Sequence, residues 1–175
     1  MDEYSQPSIG ASIRELAAAL RAGRLTAVAL IEDCVGRIER LNREINAVVA
    51  LDLAGARAAA IASDARIAAG AARGPLEGIP CLVKDNLLVA GMPTAWGSRL
   101  FAQFVPEADE APVARLRAAG AVILGKTNLS EFALRGFTDN PVYGVTRNPW
   151  DPALTPGVTP FLSIFPPPRR RPFCV

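Results

Sequence analysis

One lysine in the sequence stands where it could act as a base. Lys84 follows a short apolar run, residues 78–83, that is typical of a buried strand, and it precedes Asp85 and Asn86. A lysine that ends a strand beside buried surface loses hydration, which disfavours its charged form and lowers its pKa. A reduction of several units from about 10.4 gives an amine that accepts protons at neutral pH. The alternative interpretation is a solvated lysine that pairs with Asp85.

The sequence contains no histidine. Ser-His-Asp and Cys-His catalysis are therefore excluded within this chain, as is any metal site that needs a histidine ligand. A base for acyl transfer must then be a lysine, a carboxylate or a tyrosine. The three cysteines, Cys34, Cys81 and Cys174, are widely spaced. This spacing indicates neither a zinc site nor a disulfide framework, and we expect free thiols in a reducing compartment.

A second segment matches a known pattern by its letters alone. Residues 120–127 fit the phosphate-loop pattern GxxxxGK[ST]. A phosphate loop follows a strand and leads into a helix, whereas this segment follows an amphipathic helix and its four middle residues are apolar strand formers. We therefore interpret residues 120–127 as a helix end, a strand and a turn, and not as a nucleotide site.

The elements that must position Lys84 alternate between helices and strands, which predicts an α/β layer architecture. Caps and apolar spacing mark their limits. The apolar stripe of the second helix runs from Val28 to Leu41. The predicted elements are a helix with a Ser12–Glu15 capping box, a second helix capped by Thr26, a third over residues 52–67, a strand over 79–83, a helix capped by Asp109, a strand over 121–124 and a helix begun by Asn128.

Several spaced segments resemble the amidase-signature family. They are residues 74–80, residues 83–86, residues 118–128 with the Glu131-Phe132 pair that follows, and residues 143–151. The resemblance covers about residues 10–157. It implies the N-terminal portion of the amidase-signature fold, a mixed sheet flanked by helices, which is incomplete at this length because the family's domain is much longer.

The resemblance also implies a chemistry. The family hydrolyses a carbon–nitrogen amide bond with a serine nucleophile, a bridging serine on a cis peptide bond and a lysine. Lys84 matches that lysine and is the catalytic residue we expect, as the general base. No cofactor and no metal are implied, and the partner of intact relatives is a small-molecule amide. We expect Asn128 and Glu131 to cap a helix, and Lys126 to be a turn or ion-pair residue.

The matching pattern stops near residue 157. The family continues with a Gly/Ser-rich stretch that holds the bridging serine, and no Gly-Gly-Ser-Ser sequence occurs here. Ser98 and Ser130 match non-catalytic positions, so both catalytic serines are absent from this chain. We expect residues 1–157 to be the N-terminal part of an amidase domain and residues 158–175 to be a disordered Pro/Arg-rich tail. A frameshift in a GC-rich gene would give such an abrupt change, and we expect the chain by itself to be inactive.

Three functions stay open at this point. The first is an amidase of this family, represented by a truncated or misread product. The second is a glutaminase like the related subunit of glutamyl-tRNA(Gln) amidotransferases, and the third is a non-catalytic fragment. The net charge of +2 indicates no direct nucleic-acid contact. The acidic N-terminus and the lack of an apolar run of about 20 residues predict a cytoplasmic protein without a membrane segment, whereas the oligomeric state stays open.

Overall fold

The computed structural model describes residues 10–157. They form four α-helices around a small mixed sheet, which confirms the predicted α/β class. The prediction of a disordered tail at residues 158–175 lies outside the described residues. The elements are α1 (Ile13–Arg21), α2 (Ala27–Ile45), β1 (Val48–Leu51), α3 (Leu53–Ala68), β2 (Pro80–Lys84), α4 (Ala111–Ala118) and β3 (Val122–Thr127), with short 3₁₀ turns at Arg99–Phe101 and Glu131–Ala133.

The caps predicted for the first helices are confirmed. In the capping box of α1, the Glu15 amide donates to Ser12 Oγ over 3.3 Å and the Ser12 amide donates to Glu15 Oε2 over 2.7 Å. Thr26 Oγ1 accepts from the Ala29 amide at the start of α2. The predicted stripe of α2 is wrong at its end, because Leu41 is 54% exposed and the buried face stops at Ile38.

The sheet has the strand order β1-β3-β2, so the last strand in the sequence is the central one. β2 runs parallel to β3, with Lys84 opposite Thr127, and β1 runs antiparallel to β3. β1 was not expected from the sequence. It begins two residues after Asn46, which ends α2 with a left-handed φ of 53° and whose side-chain amide donates to the Tyr143 carbonyl over 2.7 Å. A four-residue strand between two helices is too short to interrupt their apolar periodicity.

Each face of the sheet carries its own apolar core, because side chains alternate along β3. Val122 and Leu124 pack with α1, α2 and α3 in the larger core. Ile123 points to the opposite face, where it packs with Val83 of β2 and Val113 of α4. All six residues of β3 are buried as a result. Residues 122–127 are thus a core strand, which confirms the strand predicted within the segment that matches the phosphate-loop pattern.

Two helix starts were predicted wrongly. Asp109 does not cap α4: its carboxylate accepts from the Ala90 amide and pairs with Arg117 at 2.8 Å. Glu110 stands at the cap position, but its carboxylate accepts from the Leu88 amide and makes no capping hydrogen bond. The segment after Asn128 forms a single 3₁₀ turn in place of a helix. The side chain of Asn128 makes other hydrogen bonds, which are described below. At Asp109 and Asn128, hydrogen bonds to residues distant in sequence therefore form in place of the capping hydrogen bond.

The thiols and the helices allow two further statements about residues 10–157. Cys34 is buried and Cys81 is half-buried, and both are free thiols. Burial raises the pKa of Cys34 to about 12, and the charge of Asp33 adds to this effect. Cys174 lies outside the described residues. In this part of the chain, no helix is both long and apolar enough to cross a membrane.

The turn that leads into β2 is fixed by one buried carboxylate. Glu77 is 4% exposed, and its Oε1 accepts from Arg66 Nη2 over 2.7 Å while Oε2 accepts from the Arg73 amide over 2.7 Å. Burial opposes the ionisation of Glu77, but the hydrogen bonds from Arg66, Arg73 and Ser63 outweigh it and lower its pKa to about 2. This cluster ties the end of α3 to the start of the strand that carries Lys84.

We expect Gly125→Ala to lower the free energy of unfolding by about 1–3 kcal/mol, as overpacking in a core does. A Cβ at Gly125 would collide with the Ala50 carbonyl oxygen of β1, a backbone atom that cannot rotate away. Urea denaturation followed by circular dichroism measures the change. Gly36→Ala within α2 is the matched control: its Cβ meets only the end of the Arg40 side chain, and alanine raises helix stability. Equal stabilities of the two variants would contradict this packing.

We expect Glu77→Gln to be less stable than the wild type by about 3 kcal/mol at pH 7, which corresponds to the lowered pKa of Glu77. A depressed carboxyl pKa stabilises the fold above the unfolded-state pKa, and this stability disappears as the pH falls through the folded-state pKa. The difference between the two proteins should therefore shrink below about pH 4.5 and close near pH 2. Urea midpoints measured between pH 2 and pH 7 test this, and a constant difference would contradict it.

Candidate active site

Lys84 occupies the C-terminal end of β2, where the predicted strand ends. Its side chain is half-buried, and burial lowers its pKa from the ordinary lysine value. The ladder continues one step beyond it, because the Asp85 amide donates to the Thr127 carbonyl over 3.0 Å. The amine is thus held on a strand whose partner is fully buried, which fixes its backbone more firmly than a loop would.

The cation that pairs with Asp85 lies on the neighbouring strand. The Asp85 carboxylate is fully buried and lies 3.4 Å from the Lys126 ammonium. Asp85 Oδ2 also accepts from the Ala95 amide over 3.1 Å. Burial raises the pKa of Asp85 and lowers that of Lys126, and the attraction between the two groups opposes both changes.

Lys126 confirms the ion-pair prediction, but in an unexpected place. It lies within β3 and is 0% exposed. Its ammonium donates to the Leu87 carbonyl over 2.9 Å, to Thr94 Oγ1 over 2.8 Å and to the Pro93 carbonyl over 3.4 Å. The hydrogen bonds therefore bind the loop that follows Lys84 to the central strand, and they satisfy a fully buried cation.

An aromatic cluster begins one residue beyond Ala95. The Trp96 ring lies 5.1 Å from the Phe101 ring edge-on and is stacked on Phe104 at 5.7 Å, and Phe101 meets Phe132 at 6.2 Å. Trp96 and Phe132 adopt left-handed φ values of 49° and 50°, and the Phe132 amide donates to the Trp96 carbonyl over 2.8 Å. Phe101, Phe104 and Phe132 are each about 40% exposed, so the cluster forms an apolar wall that solvent reaches.

Asn128 holds the loop that faces the end of β3. Its Nδ2 donates to the Gly144 carbonyl over 3.1 Å and to Thr146 Oγ1 over 2.9 Å. Its Oδ1 accepts from Asn140 Nδ2 over 2.6 Å and from the Leu129 amide over 2.9 Å. All four hydrogen-bonding positions of this buried side chain are filled. The expectation that Asn128 caps a helix is wrong, although a structural role for it agrees with these contacts.

The serines of residues 10–157 have structural surroundings. Ser12 caps α1 and Ser63 accepts a hydrogen bond from Arg66. Ser130 exchanges hydrogen bonds with the backbone of Arg135, and Ser98 is buried ahead of a 3₁₀ turn. Ser5, Ser8 and Ser163 lie outside the described residues. We therefore assign no nucleophile within this part of the chain.

Sequence reasoning missed three features of this region. Lys126 and Asp85 were not expected to pair, since 41 positions separate them and only the parallel alignment of β2 and β3 brings them together. The aromatic cluster was not foreseen, because no fixed spacing links its members. Within residues 10–157 the buried Oδ1 of Asn86 has no hydrogen-bond partner, which leaves an acceptor two residues from Lys84.

Comparison with known proteins identifies the family of the chain. Residues 29–159 match the Amidase family. One subunit of the glutamyl-tRNA(Gln) amidotransferase of Aromatoleum aromaticum is 47% identical over 149 residues, which cover 85% of this chain and 30% of that protein. Many further curated proteins also match.

Solved structures agree with the sequence matches. The native peptide amidase from Stenotrophomonas maltophilia superimposes with a TM-score of 0.80 and 38% identity, over 86% of this chain and 32% of that one. A bacterial aryl acylamidase of the amidase-signature enzymes superimposes with a TM-score of 0.82 and 27% identity, over 88% of this chain and 32% of that one. The chain thus spans about a third of the length of these relatives.

We expect Asn128→Ala to lower the free energy of unfolding by about 3 kcal/mol, because several buried donors and acceptors lose their partner at once. The loop at residues 138–146 should open first, which hydrogen exchange of its amides would report. Asn148→Ala is the matched control, since Asn148 is only half-buried and its side chain makes two hydrogen bonds, one from the Trp150 amide to Oδ1 and a long one from Nδ2 to the Thr155 carbonyl. A loss no larger than that of the control would contradict the organising role of Asn128.

Proposed function

Because the chain belongs to the amidase family, we propose that it forms the N-terminal third of an amide hydrolase and supplies the general base, Lys84. The observation that supports this most strongly is the position of that amine. Lys84 ends a strand beside the buried core, and burial favours its neutral form. A neutral amine accepts a proton, whereas an ordinary solvated lysine is already protonated at neutral pH.

In the proposed reaction, Lys84 takes a proton from a bridging serine, which in turn takes the proton of a nucleophilic serine. The activated oxygen attacks the amide carbonyl, and the carbon–nitrogen bond breaks as the nitrogen receives a proton. Water then hydrolyses the ester bond of the acyl-enzyme. Backbone amides beside the nucleophile stabilise the oxyanion that forms in both steps.

The chain by itself lacks the partners of Lys84 in this scheme. No Gly-Gly-Ser-Ser sequence occurs in it, and the serines of residues 10–157 are engaged elsewhere or buried. We infer that both reactive serines belong to sequence beyond the family-like part, and that the 175-residue chain does not hydrolyse amides on its own. A base without its nucleophile has no covalent route to the acyl-enzyme.

A second candidate function is favoured by one comparison. The amidotransferase subunit of Aromatoleum aromaticum is 47% identical to this chain, and the peptide amidase is 38% identical. We therefore consider a glutaminase role within an amidotransferase beside the role in a free-standing amidase. Both begin with the attack of an activated serine on an amide, so Lys84 has the same task in each.

Two chimeric proteins test the base role of Lys84. Residues 1–157 are joined to the remaining two-thirds of the peptide amidase, or to those of the amidotransferase subunit. We expect ammonia release from a peptide amide or from glutamine, respectively, and none from the 175-residue chain. Lys84→Met should lower kcat by at least about a hundredfold, the usual contribution of a general base.

The matched control is Arg57→Met, which removes an exposed cation paired with Glu32 on the helical layer and should leave kcat unchanged. A Lys84→Met chimera as active as its parent would reject the base role. Hydrolysis by the unextended chain would reject our placement of the serines, and inactivity of both parent chimeras would reject this segment as an amidase third. The more active chimera decides between the two candidate functions.

A further inference from the structure

The two lysines of this chain are neighbours in space. Of the 19 lysine and arginine residues in the sequence, only Lys84 and Lys126 are lysines. Lys84 ends β2, and Lys126 lies on the adjacent strand opposite Val83. An arginine keeps its proton in proteins, whereas a lysine is a compact charge whose proton can be lost on burial. Both lysines of this chain therefore stand at positions that suit a compact charge or an amine that can lose its proton.

The carboxylate of Asp85 creates a difficulty for a base at Lys84. The two residues are consecutive, with Cα atoms about 3.8 Å apart. The hydrogen-bond ladder of β2 continues to Asp85, so the two side chains leave the backbone on opposite sides and their charges lie several ångströms apart. An unopposed negative charge at that distance, in the partly buried surroundings of a strand end, would favour the protonated form of Lys84 by about one pKa unit.

We propose that Lys126 is a positioning residue that cancels the charge of Asp85, so that Lys84 can lose its proton beside a carboxylate. This inference rests on the proposed base role of Lys84. The ammonium of Lys126 lies 3.4 Å from Asp85 on the buried side of the strand, and neither group reaches solvent. The pair has no net charge as an ion pair, and it has none after the proton has passed from one member to the other.

The surroundings of the pair support this role. A carboxylate at this place bears on groups nearby: the pKa of the half-buried Tyr143 is raised to about 12, first by burial and then by the charge of Asp85. The charge of Glu110, before α4, also acts on Lys126 and favours its protonated form. Among the described residues, Glu110 and Tyr143 are thus the titratable groups coupled to the pair of Asp85 and Lys126, and Lys126 is the cation that opposes the carboxylates.

The alternative is that Lys126 only ties the following loop to the sheet through Leu87, Pro93 and Thr94. The two roles differ in what they do to Lys84. A loop tie affects stability, whereas charge cancellation sets the pH at which the Lys84 amine titrates. Because the sequence has two lysines and Lys126 is 0% exposed, that titration can be followed with little interference.

The experiment measures the pKa of Lys84 in the 175-residue chain by acetic anhydride labelling across pH, with the modified peptides quantified by mass spectrometry. We expect Lys126→Met to raise this pKa by about one unit, since Asp85 is then unopposed, and Asp85→Asn to lower it by a similar amount. The double variant, which removes both charges, should return to within a few tenths of the wild type. Arg57→Met, a remote exposed cation, is the control and should change nothing.

The outcomes separate the two roles even if one variant does not fold. Lys126→Met leaves a buried carboxylate without its cation and is the least stable of the set. If it does not fold, the wild type, Asp85→Asn and the double variant still form the comparison. An unchanged pKa of Lys84 in Asp85→Asn, or a double variant that differs from the wild type by a full unit, overturns the proposal. Suppose that the pKa of Lys84 changes as expected in the Asp85 and Lys126 variants while the Lys84→Met chimera stays active. The base role of Lys84 is then rejected, and the inference that the pair sets the pKa of Lys84 stands.

Discussion

The pairing of β3 with a strand on each side is the interaction on which the described part of the chain depends. β3 is the last strand of the sheet to be made, yet it is the central one. Val122 and Leu124 belong to the core under α1, α2 and α3, and Ile123 belongs to the core under α4. Neither core exists without this strand. Because Gly125 has no side chain, β1 can approach β3 closely enough to form a hydrogen-bond ladder with it. The parallel ladder between β2 and β3 fixes the position along the sheet at which Lys84 ends its strand.

Charge is distributed around this strand by depth. Exposed positions carry arginine–carboxylate pairs such as Arg57–Glu32, which add little to stability because water screens them. Nearer the core, two partly exposed arginines surround the buried Glu77 and hold it ionised. At the centre a lysine replaces arginine, and its ammonium is enclosed by backbone carbonyls, a hydroxyl and one carboxylate. The small ammonium fits a closed site that a guanidinium, with five donors in a rigid fork, would not.

Local sequence signals were sufficient for much of the fold. The Ser12–Glu15 box, Thr26 and the short apolar runs before Lys84 and Lys126 gave α1, α2, β2 and β3, because caps and strand periodicity depend on neighbours in sequence. The failures share a cause. Asp109 and Asn128 are residue types that commonly cap helices, but their side chains form hydrogen bonds with residues farther away in the sequence. The site shows the same division. The position of Lys84 could be predicted from the sequence, whereas the partner of Asp85 could not, because it depends on strand alignment, which no local pattern encodes.

The order of strands has a consequence for how the protein is made. Both edge strands, β1 and β2, and the helices α1 to α3 leave the ribosome before β3 does. Until residues 122–127 emerge, neither edge strand has a partner and the apolar face of the helical layer has nothing to pack on. Ribosomes add about 5–20 residues per second, so this exposed state lasts for seconds. Nascent chains that stall before residues 122–127 emerge should therefore require a chaperone most. Once this six-residue strand has emerged, the sheet can form and the requirement should fall.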